Sequence, residues 1–315
     1  MPSNASWPAV SARTQPSFGD EIFDAVSTNN SLVWMLRQAG NIKISDGGRT
    51  FTHALIWSTN SSFAPYSKYG TIATPDPDIL TRSEWDVKII AGAIVLSMLE
   101  QAQNQGKAAI LRYLEEKKLE ASISLTEELG NQLVTGTGTG TSWDSLGTII
   151  STTNTTTVGG IAGSDASWRN NVTAIGGAFN TTSNGLTALS TATNASTFGK
   201  MGPRAIFTTP AVWTLYDIGQ AANIRYYNSD LADAGFKHLM YSTMPFLWDD
   251  SVPAGRIYGV DTDHLWLQVL RQGNVVTTDF RPSVNQLSDV ALLYVFGNLT
   301  TGSRRTNFVI TGVTS

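Results

Sequence analysis

One stretch limits the possible architectures more than any other. Residues 104–134 read as a single long helix, with Leu111, Leu114, Ala121, Leu125, Leu129 and Leu133 recurring at steps of three or four. One step of that apolar stripe is lost to Lys118, and the opposite face holds Arg112, Glu115, Glu116, Lys117, Glu120, Glu127 and Glu128. Asn104 is placed to cap the start, and Gly136, Gly138 and Gly140 in a Thr-rich run stop the helix. At ~1.5 Å per residue it spans roughly 45 Å, longer than an ordinary globular helix. No second heptad segment exists to make a coiled coil, so the helix reads as a brace laid across a sheet.

The surroundings of that helix are strand-rich and poor in charge. Of 315 residues, 41% are hydrophobic and only 15% charged, against ~25% charged in a typical soluble domain. With nine Trp, this fits a surface covered by partners, or equally a β-rich protein with Thr, Ser and Asn on its faces. The net charge of −4 and pI near 5.4 do not match a dedicated nucleic-acid binder. Cysteine is absent, which excludes disulfides, thiolate metal sites and thiol nucleophiles. The N-terminus lacks an apolar signal core. The longest apolar run, Ile89 to Leu96, is far short of the ~20 residues that span a bilayer.

Along the chain, residues 1–18 are Pro- and Ser-rich with an isolated Trp7 and read as an extended arm. Residues 19–38 are helical in pattern, with Asn29, Asn30 or Ser31 capping a second part that ends at Gly40. Residues 42–83 read as a long two-stranded excursion with a wide tip carrying Trp57, Phe63, Tyr66 and Tyr69; its second strand starts near Ile79. An isolated hairpin is barely stable in water, so this one needs something to lie on. Residues 84–98 read as a buried strand leading into the long helix.

From 136 to about 200 the chain turns to Thr, Ser, Gly and Asn, yet Trp143, Leu146, Ile149 and Ile150 keep helical spacing. That part reads as an ordered, loop-rich region with a further helix over Asn184 to Thr191. A buried strand at 203–210 and a helix over Ala211 to Ala222 follow. The alternating segments after them indicate strands, the last two joined as a hairpin across 300–303.

Candidate chemistry is sparse. Asp261, Asp263 and His264 form the best metal-like cluster, but on a strand the two carboxylates share one face and the imidazole points to the other. Asp249 and Asp250 after Trp248 read as a turn. The three histidines, His53, His238 and His264, adjoin no nucleophile elbow, and the glycines at 136–140 follow a helix instead of a strand, unlike a phosphate loop. Asn-x-Ser/Thr triplets such as those at Asn154 and Asn171 reflect composition. Lys107, Arg112, Lys117 and Lys118 could touch phosphate, though a solvated helix face explains them as well.

Taken in order, these elements resemble the major capsid proteins of tailed bacteriophages, an α+β fold of the Hong Kong 97 type, over nearly the whole chain. The resemblance rests on arm, extended loop and long helix, and on Ser142 to Ile150 followed by Gly159, Gly160, Ile161 and Trp168. It continues through Gly202 to Thr208, through Asp250, Pro253, Gly255 and Tyr258, and through Arg304 to Val313.

It implies an arm at 1–40, an extended loop at 41–83 and a peripheral domain at 84–140 and 270–315 with a spine helix at 104–134. An axial domain would occupy 141–269. It further implies a non-enzymatic shell subunit that needs no cofactor or metal. Pentamers and hexamers of it would build an icosahedral head around double-stranded DNA in the host cytoplasm. Intersubunit contacts are expected at Trp7, Arg49, Trp57, Phe63, Tyr66, Lys68 and Tyr69, and DNA-facing positions at Lys107, Arg112, Lys117 and Lys118. Implied partners are a portal, a separate scaffolding protein, a decoration protein and the packaged DNA, with no membrane. Lys68 is also a candidate for the covalent crosslink some relatives make. The rival readings are an encapsulin-like compartment, a metal-dependent hydrolase using Asp261, Asp263 and His264, and a secreted adhesin.

Overall fold

The computed structural model describes residues 30–56, 62–72, 74, 80–103, 107–180, 184–220 and 239–314. Its first helix, α1 (Ser31–Gln38), starts where Asn30 accepts a hydrogen bond from the Val33 N–H at 3.0 Å, and buries Leu32, Val33 and Leu36 completely. Gly40, at φ 70°, turns the chain into β1 (Ile42–Ser45). The hairpin strands β2 (Thr50–Ile56) and β3 (Leu80–Asp86) come next, then β4 (Lys88–Ser97) and α2 (Met98–Gln103).

The long helix, α3 (Lys107–Thr135), has 29 residues and packs on β4. Its buried stripe runs through Leu114, Lys118, Ser122, Leu125, Thr126, Leu129 and Leu133, following the expected helical period. The expected cap Asn104 lies outside the described residues. Only glycine fits at 136: a Cβ there would lie 2.4 Å from the carbonyl oxygen of Trp143 and 2.5 Å from that of Gln132. The chain then folds back into α4 (Leu146–Ile149), which Ser145 and Thr148 close with a reciprocal capping box.

The remaining elements are β5 (Asn171–Ala178), α5 (Asn184–Ser196), β6 (Ala205–Thr208), α6 (Pro210–Gln220), β7 (Leu239–Tyr241), β8 (Met244–Trp248) and β9 (Arg256–Val260). After them come β10 (Leu265–Leu270), β11 (Val276–Thr277), β12 (Arg281–Pro282), β13 (Ser288–Thr301) and β14 (Phe308–Thr314).

Two six-stranded sheets organise them. The first is built on β13. It pairs antiparallel with β4 over an unbroken register from Ser288↔Ser97 to Gly297↔Lys88, takes β11 and β12 on its other side, and near its end pairs with β10, to which β1 adds in parallel. The second has the order β5-β14-β9-β6-β8-β7. Every residue of β6 is buried because both faces of this sheet are covered. Ala205 and Phe207 face the core beneath α3, while Ile206 faces the core shared with α5 and α6.

Two expectations are corrected here. The last two strands do not form a hairpin: β13 belongs to the first sheet and β14 to the second, where it lies parallel to β5 and antiparallel to β9. The turn between them is pinned by Arg304, whose buried guanidinium donates to the carbonyls of Ile149 (2.7 Å) and Thr156 (3.3 Å) and to Asn170 Oδ1 (2.8 Å), sending the chain across to the other sheet. Second, Asp261, Asp263 and His264 do not lie on a strand, because a 3-10 turn at Thr262–His264, capped by Asp261, separates β9 from β10. In consequence β10 belongs to the first sheet and β14 to the second.

Candidate intersubunit surface

The hairpin β2–β3 stands as a separate two-stranded sheet in register from Thr50↔Asp86 to Ile56↔Leu80. Burial grades along it. At the base, the cross-strand pair Phe51 and Trp85 is almost wholly buried, while towards the tip Ile56 is 77% and Leu80 62% exposed. A two-stranded ribbon has no core of its own, so its position depends on what clamps the base.

Three clamps do so. Trp85 donates from Nε1 to Ser83 Oγ at 3.1 Å and lies under Gly159, whose φ of 61° and lack of Cβ leave room for the indole; Glu84 N–H donates to the Gly159 carbonyl at 2.9 Å. On the other strand, the His53 ring stacks on Trp266 at 4.4 Å, and its Nε2 meets Thr300 Oγ1 at 3.0 Å. The Lys43 ammonium sits 3.9 Å from the centroid of that indole. Burial, with the nearby Lys43 charge second, lowers the His53 pKa from 6.5 to about 4, so the imidazole is neutral at pH 7.

The third clamp joins the hairpin root to the end of α3. Lys88 is buried and donates to the carbonyls of Gly138 (2.6 Å) and Ser142 (2.5 Å), with Asp144 Oδ2 at 3.9 Å. Asn298 accepts from the Asp144 N–H at 2.8 Å and donates to both the Asp144 carboxylate (2.6 Å) and the Asp86 carbonyl (2.8 Å). Burial raises the pKa of Asp144, against the Asn298 hydrogen bond and the Lys88 charge. Sequence reasoning missed this network. The available signal was Lys88 standing in phase with Ile90 and Ile94 on the inward face of a strand.

The described part of the tip is apolar and open: Phe63 is 88%, Tyr69 89%, Ile72 63% and Tyr66 40% exposed. Tyr66 is held by its hydroxyl donating to the Ser62 carbonyl at 2.8 Å, and Lys68 Nζ lies 5.5 Å from the Tyr69 ring centroid. Arg49 is exposed at the root, where its carbonyl accepts from the Val87 N–H at 3.3 Å. Trp7 and Trp57 lie outside the described residues.

On α3, Lys117 pairs with Glu120 at 2.9 Å on the exposed side. Lys118 is buried, and desolvation lowers its pKa, which corrects its expected place on a DNA-facing surface: its position in the apolar stripe turns it inward. The side chains of Lys107 and Arg112 fall outside the described ones.

The hydrolase cluster does not converge. Asp261 Oδ2 meets His264 Nδ1 at 2.8 Å and its Oδ1 caps the turn, whereas Asp263 turns away to pair with Arg204 at 3.1 Å. Among the described residues no three such ligands gather around a point. Asp249 closes a turn by accepting from the Ser251 N–H at 2.8 Å, as expected. Among the described residues no helix is long and apolar enough to cross a membrane.

No protein-family model matches the sequence, and no curated protein matches it. Solved structures do match. The capsid asymmetric unit of cyanophage A-1(L) superposes with a TM-score of 0.66 at 12% identity, covering 90% of this chain and 92% of that one. A structure of Mycobacterium phage Bobi matches with a TM-score of 0.57 at 13% identity, over 91% of both chains. The SrpI encapsulin of Synechococcus elongatus PCC 7942 matches at 0.55 and 10% identity, over 89% of this chain and 87% of that one. The expected α+β, Hong Kong 97-like capsid fold is thereby borne out over nearly the whole chain.

Proposed function

We propose that this chain is the major capsid protein of a tailed double-stranded DNA phage. Its copies associate as pentamers and hexamers and close into an icosahedral head, assembled in the host cytoplasm around packaged DNA. The observation that carries the reading is the hairpin, clamped at its base on three sides yet ending in an apolar tip without a covering surface among the described residues. Each aromatic ring there gives up to ~150–250 Å² to bury, and a second copy supplies the surface. The likeness of the whole fold to phage capsid subunits supports the same reading. The subunit acts by shape and burial and carries no catalytic role. A portal, a separate scaffolding protein and a decoration protein are the further partners that a head of this kind requires or accepts. Trp7, Arg49, Trp57, Phe63, Tyr66, Lys68 and Tyr69 are proposed at contacts between copies, and Lys107 and Arg112 of the cationic set on α3 at positions facing packaged DNA.

Deleting residues 60–75 tests this directly. Light scattering and electron microscopy are expected to show loss of closed particles with the subunit still folded; normal closure would refute the intersubunit role of the tip. An encapsulin-like compartment is the second reading, supported by the fold match to SrpI. Particles purified from their natural source that contain protein cargo in place of DNA would decide for it.

A further inference from the structure

The hairpin root, the end of α3 and β13 meet at one carboxyl group. The Asp144 side chain is only 16% exposed, and among the described residues its carboxylate accepts a single hydrogen bond, from Asn298 Nδ2 at 2.6 Å. Roughly two or three such bonds hold a buried carboxylate in its charged form. Lys88 Nζ, at 3.9 Å, is beyond hydrogen-bond range, and its short bonds go to the Gly138 and Ser142 carbonyls. The other oxygen, Oδ1, abuts Gly138, where an added Cβ would lie 2.5 Å from it. The group is thus wedged between the loop that ends α3 and Asn298, which in turn holds the Asp86 carbonyl at the last residue of β3. A polar cavity of about 400 Å³ opens beside it, lined by Glu84, Asp86, Lys88, Thr137, Thr148 and Gly159. The charges facing Asp144 are Lys88 from β4 and Asp86 from β3, with Glu84, paired to Arg82 at 2.7 Å, in the same cavity wall. The loop 136–143 and α4 contain no charged residue.

We infer that Asp144 is the bolt of a proton-operated latch: protonated, it ties the hairpin root to the end of α3; ionised, it draws water into the cavity and loosens both. The cavity gives that water a place with polar partners, and the like charge of Asp86 adds to the cost of a second carboxylate beside it. Burial raises the Asp144 pKa above the ordinary 3.8, opposed by the Asn298 bond and the Lys88 charge and assisted by Asp86. The folded chain therefore keeps this proton longer than the unfolded chain. The grip is complete at or below 3.8 and is lost as pH rises through the folded value. The latch acts within one chain and does not depend on the shell reading; it sets how firmly the root presents the exposed tip.

Carboxyl-carbon NMR and hydrogen exchange of the unassembled full-length chain read the charge and the grip separately. The Asp144 carboxyl is expected to titrate above 3.8. At pH about 8, amides of 80–88 and 136–144 should exchange about threefold or more faster in wild type than in Asp144→Asn, whose side chain stays neutral, and the difference should shrink as pH falls towards about 4. His53 titrates in both proteins and cancels from the comparison. Asp86→Asn alters an exposed side chain and should lower the Asp144 midpoint and reduce the loosening. An Asp144 midpoint at or below 3.8, or an exchange difference that does not grow with pH, overturns the latch. If Asp144→Asn does not fold, Asp86→Asn decides alone: an unmoved midpoint with unchanged exchange overturns it equally.

Discussion

His53 joins the hairpin to the first sheet through its stack on Trp266 and its bond to Thr300, and it does so as a neutral ring. Its folded pKa of about 4 lies below the ordinary 6.5. Between those values the unfolded chain binds the proton and the folded chain does not, so stability rises with pH across this window. The contribution is complete above 6.5 and is lost as pH falls towards about 4. Asp144 acts in the opposite sense: its raised folded value makes its contribution greatest at or below the ordinary 3.8 and lost as pH rises through the folded value. His53→Phe keeps a ring on Trp266 but cannot titrate. The stability gap between wild type and this variant, from urea unfolding of unassembled subunits, is expected to move against wild type as pH drops from about 7.5 to about 4.5. A gap that does not change would show that His53 does not titrate there. Four residues after Thr300, Arg304→Leu leaves the Ile149 and Thr156 carbonyls and the Asn170 carboxamide without their donor. It is expected to cost about 2–4 kcal/mol in the same experiment. The roles of His53 and Arg304 were not legible in the sequence: a buried arginine looks like a surface residue until the carbonyls around it are known.

Elements were legible where periodicity alone decides. The α3 stripe follows from Leu114, Leu125, Leu129 and Leu133, and even the misplaced Lys118 obeys it, since its position predicts burial although its chemistry suggests exposure. The hairpin was legible because Gly47 and Gly48 precede one alternating run and a wide turn-rich tip precedes the next. Which sheet a strand joins was not legible. The four-residue turn expected at 300–303 suits a hairpin, but β13 runs to Thr301 and the six-residue connection held three ways by Arg304 takes β14 to the second sheet. The hairpin base gives an element-scale prediction. At Gly159, φ is 61° and an added Cβ would lie 2.9 Å from the Trp85 ring. Gly159→Ala is therefore expected to cost roughly 1–3 kcal/mol and to speed hydrogen exchange of 80–86 while α3 stays protected. Equal loss of protection in both would mean that the base is not a separate clamp.

For the whole molecule, the shortage of charge acquires a meaning once the open surfaces are mapped. The exposed tip residues are apolar, while the net charge of −4 opposes close approach of many copies. Association led by apolar burial weakens on cooling, and salt screens the mutual repulsion of like-charged subunits. The concentration at which unaltered subunits begin to assemble is therefore expected to rise when the temperature falls from about 30 °C to about 5 °C. It should stay level or fall as salt increases from about 50 mM to about 500 mM. A threshold that climbs steeply with salt would instead make charge pairing the main force between copies, and the apolar tip would then be incidental to closure.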